Sequence, residues 1–229
     1  MRKTLIIVFV FINSCQYPEL LRDEIIYQNF FEDNSLENIS GGVITNFNNT
    51  NVLGNYNNDG FTVHLNNIGD HEYIFLSFDL YIHGSWDGNT NGFKNDDKPD
   101  LWKIELNADM DIYNNPSTGK FTTTFSNSPC FSNYCLRQSY PEVYPFANNP
   151  KKGHFKTDLK SKCESNFFGG PSTLYKIEKT FKSSGNAINI SFYDELYQPN
   201  AIDKDGVPQQ KCDESWSLDN LTIRAISYK

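Results

Sequence analysis

The sequence has no excess of basic residues and no apolar run long enough to cross a membrane. Each of these absences argues against a class of function. Asp and Glu number 28 against 20 Lys and Arg, so the formal net charge is -8. An acidic chain is repelled by nucleic-acid phosphates and by anionic membrane surfaces, which argues against both partners. A membrane-spanning helix needs about 20 consecutive apolar residues, and no segment of the chain approaches that length.

Catalytic motifs are also missing. The chain has 4 His and contains neither an HExxH zinc-peptidase motif nor a GxSxG nucleophile elbow. No catalytic residue is therefore predicted, and the sequence favours a binding role over an enzymatic one.

The first fifteen residues are typical of a targeting segment. Arg2 and Lys3 precede the apolar run LIIVFVFI over residues 5–12. A positively charged start followed by a short apolar stretch indicates a signal peptide over residues 1–15. The mature protein is then expected outside the cytoplasm, either secreted or at the cell surface.

Cys15 gives two interpretations of how this segment ends, and both stay open. The stretch I-N-S-C resembles a bacterial lipobox, in which Cys15 becomes a lipidated residue that anchors the protein in the outer membrane. Ordinary cleavage next to Gln16 would instead release a secreted protein.

The four later cysteines predict two disulfides, because an exported chain with an even number of cysteines usually forms them. Three connectivities are available to four cysteines. Cys130 and Cys135 close a short loop, which favours this pair and leaves Cys163 with Cys212. Zinc is the competing interpretation, but there is no second closely spaced cysteine pair.

Alternation of apolar and polar residues predicts β-strands along most of the chain. In EYIFLSFDLYIH, residues 72–83, Ile74 to Ile82 alternate on one face, and Tyr73, Phe75, Ser77, Asp79 and Tyr81 lie on the other. Shorter alternating runs lie at residues 61–65, 102–106, 121–125, 188–192 and 221–225. Turns rich in Gly, Asn and Asp separate them, which predicts an all-β antiparallel two-sheet sandwich of the jelly-roll type.

One domain is predicted over residues 25–229. A helical turn is expected only within Pro18 to Phe31. Between about residues 127 and 170 the strand pattern fades, and prolines, three cysteines and lysines accumulate. We interpret this stretch as a long excursion held by the disulfides, and long loops in compact domains are often functional.

The segment SWDGNTNGFKNDDKPD, residues 85–100, is unusually rich in side-chain oxygens. Its D-G-N-T-N-G start matches the first half of a calcium-binding loop. Position twelve is Lys98 where an EF-hand has Glu, and the flanks look like strands, so this is not an EF-hand. A solvated acidic hairpin loop is the alternative. The predicted calcium ligands are Asp87, Asn89 and Asn91, completed by Asp96, Asp97, Asp100 and Asp79.

Two aromatic residues are predicted to face a ligand. Trp86 borders the oxygen-rich loop and Tyr140 lies in the long excursion, and both could stack on sugar rings if exposed. Trp102 alternates with Ile104 and Leu106, which places it in the core.

Several short segments together resemble exported concanavalin A-like jelly-roll domains of the LamG and MAM type. They are FDLYIHGSWDGN (78–89), KPDLW (98–102), TTFSN (123–127), ESWSLDNLTI (214–223) and the opening NFFEDNSLENISG (29–41). The resemblance spans about residues 25 to 229, although the cysteine pattern departs from that of MAM domains. It implies a two-sheet sandwich whose first and last strands are adjacent.

The resemblance also implies glycan recognition or cell-surface adhesion, often with calcium. We therefore expect an exported calcium-stabilised binding module whose partner is a glycan or a cell-surface protein. Glycoside hydrolases and polysaccharide lyases on this fold are the first alternative, but the E-x-D-x-E strand motif common in such hydrolases is absent. A structural surface or assembly protein is the second.

Overall fold

The computed structural model describes residues 18–90, 98–110, 116–128, 130, 135–163, 170–198, 201–203 and 205–229. Side chains are described for these residues except 108–110 and 116–118. The predicted signal peptide and Cys15 lie outside the described residues. No helix among the described residues is long and apolar enough to cross a membrane.

The regular secondary structure of the described residues consists of strands and one short helix near the end of the chain. The elements are β1 (Leu20–Asn29), β2 (Ile39–Ser40), β3 (Ile44–Phe47), β4 (Thr50–Tyr56), β5 (Gly60–Asn66), β6 (Tyr73–Gly84), β7 (Leu101–Met110), β8 (Pro116–Thr124), β9 (Lys156–Leu159), β10 (Ser172–Lys182), β11 (Ala187–Glu195), α1 (Gln210–Asp213) and β12 (Glu214–Tyr228).

Two antiparallel sheets form from these strands. Sheet A has the order β3-β4-β12-β6-β10-β9, with β1 also paired to β12, and sheet B has the order β2-β5-β11-β7-β8. The predicted fold class, an all-β antiparallel two-sheet sandwich, is confirmed. The first and last strands are adjacent as expected, with Leu20 opposite Tyr228 and Asn29 opposite Leu221.

The core lies between the sheets and consists of the residues that alternation placed inward. Ile74, Leu76, Phe78, Leu80 and Ile82 of β6 are all buried. From the other sheet, Ile104 and Leu106 of β7 and Ile188, Ile190 and Phe192 of β11 are buried against them. Because apolar burial is the dominant favourable term in folding, this alternation selects the faces that meet.

Aromatic rings fill one region of this core. Trp102, which the sequence predicted to be internal, is fully buried and packs against Phe78 and Trp216 with ring centroids 5.8 Å away from each. Such tilted and edge-on contacts add to the free energy of area burial.

One element contradicts its prediction. Residues 20–29 form β1, so the helical turn expected within Pro18 to Phe31 is wrong. Pairing with β12, about 200 residues later in the chain, supplies backbone hydrogen bonds that local propensity does not anticipate. The domain's first strand therefore begins at Leu20, ahead of the predicted boundary at residue 25.

The predicted excursion folds against the sandwich instead of extending from it. Gln138 is fully buried and its amide oxygen accepts hydrogen bonds from the main-chain N–H groups of Ser126 and Lys151. Its amide nitrogen donates to the carbonyls of Tyr140 and Lys152. This single side chain therefore ties together three parts of the segment, and β9 adds the segment's end to the edge of sheet A.

Both predicted disulfides are confirmed. Cys130 bonds to Cys135, and Cys163 bonds to Cys212 across 49 residues of chain. The second bridge joins the segment after β9 to helix α1, which immediately precedes β12.

Candidate functional site

The two ends of the oxygen-rich loop are fixed to each other. The main-chain N–H of Asp87 donates to Oδ2 of Asp100 at 2.9 Å, and the N–H of Asp100 donates to the carbonyl of Gly88 at 2.9 Å. Burial raises the pKa of the Asp87 carboxyl to about 7, and the nearby Asp213 carboxylate contributes. Burial also raises the pKa of Asp100 to about 7.

Asn89, the other predicted loop ligand among the described residues, does not join this pair. Asn89 uses its amide oxygen to accept hydrogen bonds from Thr124 and Ser139, so its carbonyl is occupied within the protein. Asn91, Asp96 and Asp97 lie outside the described residues. Across the part of the chain that the structure describes, no three His, Cys, Asp or Glu side chains are arranged to hold a metal ion.

Asp79 was predicted to complete the calcium shell, and this prediction is wrong. It lies five residues before the end of β6, which is about 16 Å of extended strand. Its carboxylate forms an ion pair with Lys176 at 2.8 Å and accepts a hydrogen bond from Asn220 at 2.9 Å. Asp79 therefore belongs to a polar contact in the middle of sheet A.

The two aromatic residues predicted to face a ligand are buried. Trp86 is 0% exposed, and its indole N–H donates to the carbonyl of Ser215 at 3.0 Å. Tyr140 is 6% exposed and packs against Phe125 and Tyr175. Neither ring presents a face to solvent, so the prediction that they stack on a ligand is wrong.

A group of partly exposed rings lies instead on the outer face of sheet A. Tyr73 and Phe75 point outward from β6 and pair with Ile226 and Arg224 of β12. The register of β1 adds Leu20 opposite Tyr228. These strands enclose a groove of about 550 Å³, which we call the aromatic groove. It is lined by Leu20, Asp23, Tyr73, Phe75, Thr180, Arg224, Ile226 and Tyr228.

A fixed charged pair lies in the middle of the aromatic groove. The guanidinium of Arg224 donates through Nε to Asp23 Oδ1 at 2.6 Å, and a second nitrogen contacts Asp23 Oδ2. The same guanidinium lies 5.4 Å from the ring centroid of Phe75. This two-point contact holds the polar atoms beside the rings in a defined orientation.

The rings themselves are partly open to solvent. Tyr228 is 39% exposed, Tyr73 and Phe75 are half-buried, and the Tyr73 and Tyr228 centroids lie 5.9 Å apart. Ligand sites commonly combine apolar or aromatic walls with a few fixed polar groups in a concave surface. The aromatic groove has this composition.

A second groove, of about 450 Å³, lies on the outer face of sheet B and is more polar. We call it the polar groove, and its outward-facing ring is Tyr193 of β11. Lys120 donates to Glu105 at 2.9 Å beside it, and this contact, with a hydrogen bond from Tyr193, lowers the pKa of Glu105. The Lys103 ammonium lies 5.4 Å from the Tyr193 centroid.

The sequence indicated the position of some residues of the aromatic groove. Alternation placed Tyr73 and Phe75 on the outward face of β6, opposite the core residues. Nothing in the sequence showed that this half of the strand stays open, or that Tyr228 and Leu20 lie beside it.

No protein-family model matches the chain, and a search of curated proteins also finds no match. Solved structures that resemble it include a carbohydrate-binding module, CBM28, described as specific for non-crystalline cellulose. That match has 11% identity, a TM-score of 0.35, and covers 90% of this chain and 94% of the other.

A second similar structure is the N-terminal CBM22-1 and GH10 modules of endo-1,4-β-D-xylanase 10B from Clostridium thermocellum, complexed with xylohexaose. That match has 8% identity and a TM-score of 0.35, and it covers 91% of this chain and 29% of the other. At such scores neither likeness carries an argument about function, so the functional conclusion depends on the grooves themselves.

Proposed function

We propose that this protein is an exported glycan-binding module that holds a sugar chain in the aromatic groove. The observation that carries the proposal is the set of partly open rings, Tyr73, Phe75 and Tyr228, beside the fixed Asp23–Arg224 pair. A sugar ring is amphipathic, since its C–H groups form apolar faces and its hydroxyls lie around the edge. Tyrosine and phenylalanine rings can cover the faces, and the charged pair can bond the hydroxyls.

Binding is favoured over cleavage by the carboxylates of this groove. Glycosidases use two carboxyl groups on either side of the scissile bond. Asp23 is the single carboxylate among the described lining residues, and Arg224 already neutralises it. This composition supports recognition of a sugar chain without acid–base chemistry.

Export is supported by two independent features. The positively charged start and apolar run of residues 1–15 are typical of a signal peptide. The disulfides Cys130–Cys135 and Cys163–Cys212 suit an oxidising compartment. The glycan would then be an extracellular or surface polysaccharide.

The test is affinity electrophoresis of residues 16–229 in gels containing neutral or acidic soluble polysaccharides. We expect retardation by at least one polysaccharide. The substitutions Tyr73→Ala and Tyr228→Ala should each weaken binding about tenfold, which corresponds to about 1.4 kcal/mol per ring.

Two control variants remove rings outside the aromatic groove. Tyr144→Ala removes a ring that is 37% exposed in the folded excursion, and it should bind like wild type. Tyr193→Ala removes the ring of the polar groove and should also bind normally. Loss of binding in Tyr193→Ala alone would move the site to sheet B, and no retardation by any polysaccharide would overturn the proposal.

A further inference from the structure

Four carboxylates come together at the end of the sandwich opposite the aromatic groove. They are Asp87 and Asp100 of the oxygen-rich loop, Asp213 at the end of α1 and Glu214 at the start of β12, and we call them the carboxylate cluster. Gly84 at the end of β6 pairs with Glu214, eleven residues of strand from Tyr73, or about 36 Å.

Backbone contacts fix the two halves of the cluster against each other. The N–H of Ser85 donates to the carbonyl of Asp213 at 2.8 Å, and its hydroxyl donates to Asp213 Oδ1 at 2.9 Å. Gly84 has φ of +80°, and a Cβ there would lie 1.9 Å from the Asp213 carbonyl oxygen. Glycine is required for this close approach, since any side chain would push the strand ends apart.

Glu214 is the residue that needs an explanation. Its side chain is 4% exposed, and its Oε2 atom has no hydrogen-bond partner. A buried carboxylate oxygen without a hydrogen-bond partner costs more free energy than a neutral polar atom in the same position, because the charged group loses its hydrating water. A bound ion is one of the ordinary explanations for such an atom in a native protein.

No cation of the protein neutralises the cluster within the described residues. The ion pairs of the described chain involve none of these four carboxylates. Burial raises the pKa of Glu214 well above its usual value, and the neighbouring charges of Asp100, Asp213 and Asp87 raise it further. Burial raises the pKa of Asp213 as well. In its fully ionised form the cluster would therefore hold more negative charge than its surroundings stabilise.

We propose that the carboxylate cluster is a site for a hard divalent cation such as Ca²⁺, with Glu214 and Asp100 as its buried ligands and Asp87 and Asp213 at its rim. Carboxylate oxygens are the ligands that Ca²⁺ prefers, and its coordination is flexible. As the described side chains stand, no three of the carboxylates are arranged to hold a metal ion together. Binding would therefore require the half-buried Asp87 and Asp213 to turn inward, and Asp213 would exchange its hydrogen bonds with Ser85 and Gln198 for contacts with the ion.

This ligand set differs from the one that the loop sequence predicted. It retains Asp87 and Asp100, replaces Asp79 and Asn89, and adds two residues from the far end of the chain. An ion here would link the oxygen-rich loop to the first residues of β12. The proposal is independent of glycan binding, because the cluster and the aromatic groove lie at opposite ends of β6.

The test is terbium luminescence together with calcium-dependent unfolding of residues 16–229. Trp86 lies between Ser85 and Asp87, so excitation of its indole should sensitise Tb³⁺ bound at the cluster, and Ca²⁺ should compete the signal away. At a hundredfold excess of Ca²⁺ over its Kd, the melting temperature should rise by about 5 to 10 °C.

The variants Asp100→Asn and Glu214→Gln keep the side-chain volume and remove one charge each. Both should lose the terbium signal and the calcium response, yet melt above ion-free wild type, because repulsion within the cluster is reduced. Glu178→Gln, a change at an exposed position of β10, should behave like wild type in both measurements.

Two results would overturn this proposal. If neither Tb³⁺ emission nor a calcium-dependent rise occurs in wild type, the carboxylates are neutralised by protons instead. If wild type and both cluster variants respond equally to Ca²⁺, the ion binds elsewhere. Because affinity electrophoresis is run separately, neither result bears on the aromatic groove.

Discussion

The outer face of sheet A has two halves, which share strand β6 but differ in whether other parts of the chain cover them. At one end of β6, Tyr81 and His83 point outward and are buried. At the other end, Tyr73 and Phe75 also point outward and stay half exposed. The alternation of β6 is the same at both ends, so the difference comes from what lies above it.

The half that contains Tyr81 and His83 is covered by parts of the chain that are distant from it in sequence. Phe47 of β3, Val52 of β4 and Leu159 of β9 form a small apolar cluster with Tyr81 and Leu174. No comparable layer among the described residues covers Tyr73 and Phe75, which have the groove above them. Periodicity thus identifies a face, and tertiary contacts decide whether that face is core or binding surface.

The largest expected effect comes from releasing the segment that carries β9. Replacing Cys163 and Cys212 together by Ser should lower the free energy of unfolding by about 4 kcal/mol, because the bridge closes a span of 49 residues. Urea denaturation of residues 16–229 measures this. The matched double variant at Cys130 and Cys135, which are 5 residues apart, should lose about 2 kcal/mol. Equal losses would show that chain closure does not explain the effect.

The next prediction compares the two halves through the same change, Tyr to Ala, made once in each half. Tyr81→Ala should lower the free energy of unfolding by about 3 kcal/mol, since it leaves a cavity under Phe47. Tyr73→Ala should cost less than about 1 kcal/mol, because its ring is already partly solvated. Thermal and urea unfolding of both variants give the two values, and similar losses would mean that the halves do not differ in cover.

A third effect, absent at neutral pH, is a pH dependence that comes from the covered half. His83 is fully buried between the hydroxyls of Ser172 and Ser217. Burial, with a smaller effect of the nearby Lys162 ammonium, lowers its pKa from 6.5 to about 3. Between pH 3 and 6.5 the His83 imidazole is therefore protonated in the unfolded chain and neutral in the folded protein. The contribution of the buried neutral ring to stability is complete above pH 6.5 and is lost as pH falls towards 3.

The measurement is the difference in unfolding free energy between wild type and His83→Gln at several pH values. The difference should change through the pH range 3 to 6.5 and be constant above it. His154→Gln, at an exposed position, is the control and should show no such change. A difference that does not vary with pH would contradict the burial of a neutral His83.

Much of the fold could be predicted from the sequence, and the reason is physical. Period-two alternation in β6, β7 and β11 reflects burial of one face, and burial is what drives the sheets together. The disulfide pairs could be predicted because the short loop between Cys130 and Cys135 favours their pairing, which leaves Cys212 as the partner of Cys163. The strand β1 was missed because its conformation is set by pairing with β12 and not by its own residues.

The candidate site was harder to predict, since it depends on which surfaces remain uncovered. Trp86 adjoins a polar loop in sequence, yet its indole is buried and bonded to Ser215 of β12. Asp79 looked like a neighbour of the oxygen-rich loop, but Lys176 of β10 is its partner. In each case the deciding contact comes from a strand about a hundred or more residues away.

The central claim is that the open half of sheet A is the glycan-binding surface, and NMR titration tests it most directly. A ¹⁵N-labelled sample of residues 16–229 would be titrated with short fragments of the polysaccharide that retards it most. The account predicts that amide shifts concentrate at Leu20–Asp23 of β1, Tyr73–Phe75 of β6 and Arg224–Tyr228 of β12. Shifts concentrated around Thr62 and Tyr193 of sheet B, or absent from sheet A, would contradict it.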